Sequence, residues 1–231
     1  MIITLISDSH NKHKQLTEDL PGGDLIIHAG DISSMGYFHE IHNFCDWYSK
    51  LYMYDTKIFI AGNHDFGFQD SPNSILELLK GYPKINYLQD DLYLLGEEYD
   101  NYEDRIKVYG SPWSPRFLEW AFNADRGEDI KQYWDRISLD TDILITHGPP
   151  HGILDSNSWN PLGIGCEELK IRIKEVKPKI HVFGHLHFGY GYKFEDDIHF
   201  INASILNDQY KYANKPLTID WDPITNELKF L

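Results

Sequence analysis

Short apolar runs recur along the chain, and a polar block follows each of them directly. The runs are rich in β-branched residues and almost unbroken: Ile2 to Ile6, Leu25 to Ile27, Ile58 to Ile60, Ile143 to Ile145, and Ile180 to Phe183. Runs of this kind are typical of strands that are covered on both faces. The pattern therefore predicts five buried strands.

Segments with helical character lie between these runs. The clearest are Tyr37 to Leu51, Ser74 to Leu79, Asp125 to Ile137 and Glu167 to Val176. Alternating strands and helices indicate a layered α/β architecture, in which binding sites form at the carboxyl ends of the strands.

Other segments have the character of antiparallel strands. Ile85 to Leu95 contains two apolar runs separated by Gln89-Asp90-Asp91, which predicts a hairpin. Alternating aromatic and polar residues followed by an acidic turn occur at 190–201, and the tail at 217–231 repeats this pattern. We therefore expect a second sheet packed on the first, with helices outside, in a single domain over residues 1–231.

The polar blocks contain side chains that bind metals. They are Asp8-Ser9-His10, Gly30-Asp31, Gly62-Asn63-His64-Asp65, Thr146-His147-Gly148 and Gly184-His185-Leu186-His187. Alone, Asp8-Ser9-His10 and Gly30-Asp31 are more often turns or helix caps. The block with His64 and Asp65 favours a site more strongly, and the two alternate imidazoles at 185 and 187 favour it most, because they would make a poor core after a buried strand. Together they supply oxygen and imidazole ligands without a thiolate, which favours manganese, iron or zinc. A pair of divalent cations is a device for activating water and holding a phosphate.

The charge of the chain restricts its partners. The formal net charge is −15, from 36 acidic and 21 basic residues. Such a field repels long polyanions, so binding of long nucleic acid is not expected. A small phosphorylated substrate remains compatible, because two divalent ions would reverse the local potential.

Cysteine content and hydropathy predict a cytoplasmic protein. Cys45 and Cys166 are far apart in the sequence and form no C-x-x-C motif, so a disulfide framework is not expected. No apolar stretch is long enough to cross a bilayer. The opening run passes directly into Ser7-Asp8, which predicts a first strand and not a signal peptide.

The histidines outside the blocks are expected to be structural. We expect interior positions for His28 and His181, helix positions for His39 and His42, and solvent-facing positions for His13 and His199. His151 follows Gly148-Pro149-Pro150 closely enough to reach the site, and its role stays open.

A group of aromatic residues has two interpretations. Trp113, Phe117, Trp120 and Phe122 could form a face that stacks a base, or could pack against the sheet; we favour packing because aromatic residues dominate cores. The neighbouring Arg116 and Arg126 could meet a phosphate or a purine edge, but surface ion pairing is an equal alternative in so acidic a chain.

The order of the blocks resembles the calcineurin-like metallophosphoesterase superfamily over residues 8 to about 204. Further segments are similar to its metallophosphoesterase-domain-containing branch, whose members resemble phosphodiesterases of small nucleotides. These segments are Tyr109 to Trp113, Trp120 to Asn123, Leu144 to Pro150, Gly165 to Leu169, and His181 to His187 followed by Gly189-Tyr190-Gly191.

The resemblance implies a fold and a set of ligands. The implied fold is a four-layer αββα sandwich of two packed mixed β-sheets flanked by helices. One cation would be held by Asp8, His10, Asp31 and His187. The other would be held by Asp31, Asn63, His147 and His185, with Asp31 shared between the two.

The chain departs from the Ser/Thr protein phosphatases after Gly30-Asp31. Ile32-Ser33-Ser34-Met35 stands where those phosphatases carry a further Asp-Arg pair. This difference argues against the protein-phosphatase branch and removes the usual partner of its catalytic imidazole.

These observations predict a hydrolase for small phosphodiesters, with cyclic nucleotides as the leading candidates. A hydroxide shared by two cations would attack phosphorus in line, and His64 would protonate the leaving group because it follows the ligand Asn63. His64 could instead merely fill space in its loop. The alternatives for the whole protein are a broad phosphomonoesterase, a nuclease, which the charge disfavours, and a non-catalytic interaction module on the same fold. Mn²⁺ is the expected metal, with iron, zinc and magnesium as alternatives.

Overall fold

A computed structural model of the chain describes residues 1–96, 101–102 and 105–231. The strands are β1 (Ile2–Ile6), β2 (Gly23–Ala29), β3 (Tyr54–Ile60), β4 (Asn86–Leu88), β5 (Asp91–Leu95), β6 (Ile106–Ser111), β7 (Ser114–Pro115), β8 (Asn123–Ala124), β9 (Ile143–Thr146), β10 (Ile180–Phe183), β11 (Gly191–Glu195), β12 (Ile198–Asn202), β13 (Leu217–Trp221) and β14 (Leu228–Phe230). The α-helices are α1 (Phe38–Ser49), α2 (Phe66–Asp70), α3 (Pro72–Leu79), α4 (Glu128–Trp134) and α5 (Glu167–Val176).

The strands form two six-stranded sheets. The first has the order β14-β13-β1-β2-β3-β4, and the second has the order β11-β12-β10-β9-β6-β5. In the first sheet β1 to β4 are parallel, and β13 and β14 are antiparallel additions. In the second sheet β12, β10, β9 and β6 are parallel, and β11 and β5 are antiparallel edges. Both sheets are therefore mixed, as expected.

Three apolar layers explain why the strand runs are almost unbroken. Successive side chains of a strand point to opposite faces of its sheet, so alternate residues enter different cores. Ile27 packs between the sheets, whereas Ile26 packs under α1 with Phe44 and Tyr48. On the outer face of the second sheet, Leu144 packs with residues of α4 and α5. The predicted α/β sandwich with four αββα layers is confirmed.

The predicted hairpin at residues 85–95 is wrong. β4 pairs with β3 in the first sheet, whereas β5 pairs with β6 in the second sheet. The polar residues between them carry the chain from one sheet to the other, and Asp90 accepts hydrogen bonds from Ser111 and Trp113 there. Two apolar runs around a polar turn have the same local pattern in a hairpin and in a crossover.

The predicted solvent-facing positions of His13 and His199 are also wrong. His13 is 2% exposed, and its ring centroid lies 5.0 Å from that of Trp47. His199 is 5% exposed, and its ring packs against Tyr192 and Phe194. His13 is buried by a residue of α1 that is distant in sequence, and His199 by aromatic residues of the neighbouring strand β11.

Further predictions about single residues and strands agree with the fold. His39 and His42 are exposed on α1, and His28 and His181 are fully buried. The tail forms the antiparallel pair β13–β14, and β11–β12 is a hairpin. None of the described helices combines the length and the apolar character that crossing a membrane requires.

The turn of the β11–β12 hairpin provides a test of the strand pairing. Asp196 and Asp197 connect the strands with φ of 53° and 64°, which is a type I′ arrangement that favours Asn-Gly. We expect the double variant Asp196→Asn/Asp197→Gly to raise the free energy of unfolding by about 0.5–1 kcal/mol, because glycine adopts positive φ without strain. Urea unfolding would measure this change. The control Asp196→Ala/Asp197→Ala should be destabilised, and the turn assignment fails if the two variants change stability in the same direction.

Candidate metal centre

The five polar blocks meet at one end of the sandwich. Asp8 and Asp31 follow adjacent parallel strands, and the Asp8 amide donates to the Gly30 carbonyl at 3.0 Å. His147 follows β9 in the other sheet, and its carbonyl accepts from the amide of Gly184, at 2.9 Å. The two sheets therefore bring residues that are far apart in sequence into one cluster.

The backbone is strained at several of these residues. Asp8, His10, Asp31 and His185 have φ values of 54°, 38°, 56° and 66°. Residues other than glycine rarely adopt the left-handed region, and such strain persists where surrounding structure holds it in place. Four of the seven expected ligands are therefore held in conformations that an isolated loop would avoid.

One group of ligand atoms comes from Asp8, His10 and His187. One side-chain atom from each lies within 4.8 Å of the others, and all three side chains are almost fully enclosed. Nε2 of His187 lies 3.5 Å from Oδ1 of Asp8. Nε2 of His10 lies 3.6 Å from Oδ2 of Asp31, so this group borders on a second one.

The second group comes from Asp31, His147 and His185, whose ligand atoms also lie within 4.8 Å of one another. Nε2 of His147 lies 3.3 Å from Oδ2 of Asp31 and 2.9 Å from Oδ1 of Asn63. Neighbouring ligands of one cation have separations of about 3 Å when metal–ligand bonds are about 2.1 Å. The structure thus brings all seven expected ligands together, with Asp31 between the two groups.

Hydrogen bonds orient three imidazoles for binding through Nε2. Nδ1 of His10 donates to the Ser33 carbonyl at 3.1 Å, and Nδ1 of His147 donates to the Ala29 carbonyl at 3.0 Å. Nδ1 of His187 donates to a backbone carbonyl in the same way. Such bonds select the tautomer and ring orientation of metal-binding histidines. Nε2 of His10 is buried without a hydrogen-bond partner, so the residues fit a bound cation.

Two carboxylate–imidazole pairs dominate the electrostatics. Burial acts to raise the pKa of Asp31, but the charge and hydrogen bond of His147, together with the charges of His10 and His64, outweigh it and hold the pKa well below its usual range. The pKa of Asp8 is lowered against its burial by the hydrogen bond and charge of His187. Burial disfavours both charged imidazoles, yet their partner carboxylates raise the pKa of His147 and of His187 to about 9. A divalent cation that bound here would displace these protons.

The other two imidazoles are biased toward the neutral form that binds metals. Burial lowers the pKa of His10 to about 4, and the charge of Asp31 only partly opposes it. Burial and the charge of His147 lower the pKa of His185 to about 4. The cluster therefore combines charged and neutral donors, and neutral imidazole is the ligand form.

Two glycines lie so close to the Asp8 and Asp31 carboxylates that no side chain would fit in their place. A β-carbon at Gly62 would collide with Oδ1 of Asp31, and one at Gly184 would collide with Oδ2 of Asp8. The glycines in these two blocks therefore have a packing reason beyond turn formation.

Several supporting residues were not assigned a role from the sequence. Asp65 accepts hydrogen bonds from the amides of Ile32, Ser33 and Gly62, which joins two ligand loops. Burial and the charge of Asp31 raise the pKa of Asp65 to about 7. The sequence feature that points to a role for Asp65 at the site is its position in the same block as Asn63.

Ser204 and Tyr210 are also at the site. Ser204 Oγ donates to Oδ2 of Asp8 at 2.8 Å. The ring of Tyr210 lies 5.0 Å from that of His10 and 5.1 Å from that of His187. Neither residue follows an expected strand end with a ligand block, so no pattern in the sequence identified them.

His64 lies beside the first ligand group. Its amide donates to Oδ1 of Asp31 at 2.8 Å, and its ring centroid lies 4.6 Å from that of His10. Nδ1 donates to the carbonyl of Ser34 at 2.8 Å. A backbone carbonyl from the Ile32–Met35 segment therefore contacts the imidazole where the protein phosphatases were expected to supply a carboxylate.

A cleft of about 550 Å³ opens over the cluster. Its lining beyond the ligands includes His64, Arg116, Phe117, Trp120, Arg126 and Tyr210. His151 is not among the described residues that line it.

The structure divides the aromatic group into two parts. Phe117 and Trp120 line the cleft. Trp113 instead stacks on Tyr133 with ring centroids 3.6 Å apart, and Phe122 is 1% exposed. Packing against the sheet is thus correct for two residues of the group and wrong for the other two.

Both arginines of the cleft are already paired. Arg116 contacts Asp125 at 2.6 Å. Arg126 pairs with Glu167 and donates to the carbonyls of Ile164 and Gly165.

Comparison with known proteins identifies the family. The sequence profile described as Calcineurin-like phosphoesterase matches residues 1–189. The chain belongs to the calcineurin-like phosphoesterase family. It is 34% identical over 236 residues to Metallophosphoesterase domain-containing protein 1 of Homo sapiens, an alignment that covers 93% of this chain and 69% of the relative. It is 35% identical over 225 residues to the UPF0046 protein C25E10.12 of Caenorhabditis elegans, covering 93% and 79%.

The relatives support the metallophosphoesterase-domain-containing branch, and the fold agrees with the family. TT1561 of Thermus thermophilus superimposes with a TM-score of 0.62 at 14% identity, covering 99% of this chain and 97% of TT1561. At this identity the similarity concerns the fold alone. The chain is thus a phosphoesterase of a metal-dependent hydrolase family, and its ligand groups are consistent with that family.

Metal binding should be visible as a gain in stability. A ligand that binds only the folded state at one hundred times its Kd adds about 2.7 kcal/mol to the free energy of unfolding. We expect Mn²⁺ to raise the Tm of protein stripped by chelation. Asp31→Asn should lose most of this increase, because Asp31 is the expected ligand of both cations and lies between the two ligand groups. Differential scanning calorimetry would measure both proteins.

His151→Gln provides the matched control, because this half-buried histidine is close in sequence to the site but does not line the cleft. It should respond to Mn²⁺ as the wild type does. An Asp31→Asn protein with the full wild-type increase in Tm would contradict the shared-ligand arrangement.

Proposed function

We propose that this protein is a phosphodiesterase that uses two divalent cations to hydrolyse small phosphodiesters, with cyclic nucleotides as candidate substrates. The observation that supports this most directly is the position of Asp31, whose Oδ2 lies 3.6 Å from Nε2 of His10 in the first ligand group and 3.3 Å from Nε2 of His147 in the second. Two cations that shared the Asp31 carboxylate would be suited to in-line displacement at phosphorus.

The chain's own residues suggest how the cations would be held. Asp8, His10, Asp31 and His187 would hold one, and Asp31, Asn63, His147 and His185 would hold the other. When bound, the cations would lower the pKa of water and neutralise charge on the phosphoryl oxygens. Mn²⁺ is the preferred candidate because the donors are oxygen and imidazole without sulfur; Fe, Zn²⁺ and Mg²⁺ are alternatives.

His64 is proposed as the general acid. Its Nδ1 is engaged by the Ser34 carbonyl, which leaves Nε2 to carry a proton toward the cleft. One ring nitrogen lies within 4.8 Å of ligand atoms of His10 and Asp31, so a leaving oxygen at the first ligand group would be near the imidazole. An alkoxide is a poor leaving group and benefits from such a donor.

The charge of the cleft favours a diester over a monoester. A monoester carries a second negative charge that needs cationic partners. The arginines that line the cleft, Arg116 and Arg126, are each committed to an acidic residue. A diester carries one negative charge and therefore needs fewer cationic partners than a monoester. A broad phosphomonoesterase is the alternative.

The cleft offers an exposed aromatic ring to a nucleobase. Phe117 is 63% exposed and lines the same cleft as the ligand groups. An exposed aromatic ring can stack a base without selecting its identity. Phe117 is therefore the residue proposed to bind the base.

We also propose that residues 1–231 act as one domain in the cytoplasm. The ligands come from both sheets, so neither sheet has a complete site alone. Cys45 and Cys166 are both buried free thiols, and burial raises the pKa of each to about 12. Inert reduced thiols are compatible with a reducing compartment.

The role of His64 can be tested by truncation. We expect His64→Ala to bind metal and to lose about 10²–10⁴-fold in kcat for a diester with an alkoxide leaving group. Metal content would be measured by elemental analysis beside the kinetics. His42→Ala, on the exposed face of α1, should match the wild type. Wild-type turnover by fully metal-loaded His64→Ala would rule out the acid assignment.

The substrate class can be tested with model esters and nucleotides. We expect Mn²⁺-loaded protein to hydrolyse bis-p-nitrophenyl phosphate faster than p-nitrophenyl phosphate. Phe117→Ala should raise KM for a cyclic nucleotide by about 5- to 150-fold, because stacking of a base is worth about 1–3 kcal/mol.

Leu118→Ala is the control for Phe117→Ala, because Leu118 is 66% exposed but does not line the cleft. Its KM should be unchanged. Faster hydrolysis of the monoester would favour the phosphomonoesterase instead, and equal KM values for both variants would remove Phe117 from base binding.

A further inference from the structure

Trp120 covers one face of the His64 imidazole. The two ring centroids lie 4.2 Å apart, and the ring planes are inclined by 31°. This is a shorter separation than that between His64 and His10, at 4.6 Å, or between His64 and Tyr210, at 6.3 Å. The indole is therefore the nearest of the aromatic neighbours of this imidazole, and base stacking is not required to explain its place in the cleft.

A backbone hydrogen bond connects the segments that carry the two rings. The amide of Ala121, which follows Trp120, donates to the carbonyl of Asn63, which precedes His64, at 3.1 Å. The indole also contacts Phe66, with centroids 5.8 Å apart. The position of Trp120 is thus tied to the same loop that carries His64, and a shift of one would be transmitted to the other.

The side-chain hydrogen bond of His64 does not by itself fix the orientation of the imidazole plane. Nδ1 donates to one acceptor, the Ser34 carbonyl, and a single hydrogen bond fixes the position of that nitrogen more strongly than the plane of the ring. A flat indole at van der Waals distance restricts rotation of the plane. The stack and the hydrogen bond together would hold Nε2 in one direction.

We propose that Trp120 is a positioning residue that aligns His64 for protonation of the leaving group. This inference rests on the proposed function, in which His64 is the general acid. Trp120 would act through His64 and would not bind the substrate base. Proton transfer to a leaving oxygen depends strongly on the geometry of the donor, so misalignment should reduce kcat more than it raises KM.

Leaving-group dependence separates this role from a merely structural one. Ester oxygens of low basicity, such as p-nitrophenolate, leave without much help from an acid, whereas phenolate leaves less readily. We expect Trp120→Leu to lose about ten-fold or more in kcat for diphenyl phosphate and less than about two-fold for bis-p-nitrophenyl phosphate. Trp120→Phe retains a flat ring and should recover most of the loss. Leu118→Ala, outside the cleft lining, should behave as the wild type.

A measurement without turnover tests the stack itself. In the NMR spectrum of metal-free protein, the indole should shift the carbon-bound ring protons of His64 upfield. The shift should disappear in Trp120→Leu and persist in part in Trp120→Phe. Circular dichroism of each variant would verify that it is folded. Wild-type His64 shifts in Trp120→Leu would overturn the proposed contact.

The outcomes distinguish this inference from the function on which it rests. If His64→Ala loses activity equally for both diesters, His64 is not the acid and the proposed function is wrong in that respect. If His64→Ala is selectively impaired with diphenyl phosphate but Trp120→Leu is not, only the positioning role is wrong. An increase in KM alone in Trp120→Leu would assign Trp120 to substrate binding and overturn the inference.

Discussion

The carboxylate of Asp31 connects the two sheets of the sandwich, and the rest of the site depends on it. Oδ1 accepts the amide of His64 from a loop of the first sheet, and Oδ2 lies 3.3 Å from Nε2 of His147, which follows a strand of the second sheet. Because the carboxylate is enclosed, its charge acts at low dielectric and is strongly felt by every neighbouring imidazole. A displaced Asp31 would therefore disturb both ligand groups and the loop of His64 together.

The loops around Asp31 are built for fixed geometry. Positive φ angles at ligands and the lack of room for a β-carbon at Gly62 leave little freedom for the backbone. Asp65 joins the loop of Asp31 to that of Asn63 through three backbone amides. Strain of this kind is tolerated because the packed strands hold the loop ends. In return, the ligands need little reorganisation when a cation binds. The imidazole of His64 is fixed differently, since its Nδ1 donates to the neutral carbonyl of Ser34, which adds no further negative charge.

The sequence by itself determined the layer order, the chemical type of the ligands and the family. Apolar runs such as Ile58 to Ile60 predict buried strands because periodicity is a local property, and the blocks after them identify oxygen and imidazole donors wherever the chain folds. The family resemblance then implied which of those donors would bind each of two cations. The boundaries of α5 also followed from its local pattern.

Only the tertiary structure decided which segments meet. It separated β4 from β5 into different sheets and buried His13 against α1. It also packed Trp113 against the core and Tyr133 while directing Trp120 onto His64. These outcomes depend on contacts between residues far apart in the chain. Local patterns state that a side chain is apolar or can bind a metal, but the direction in which it points is set by the packing of distant elements.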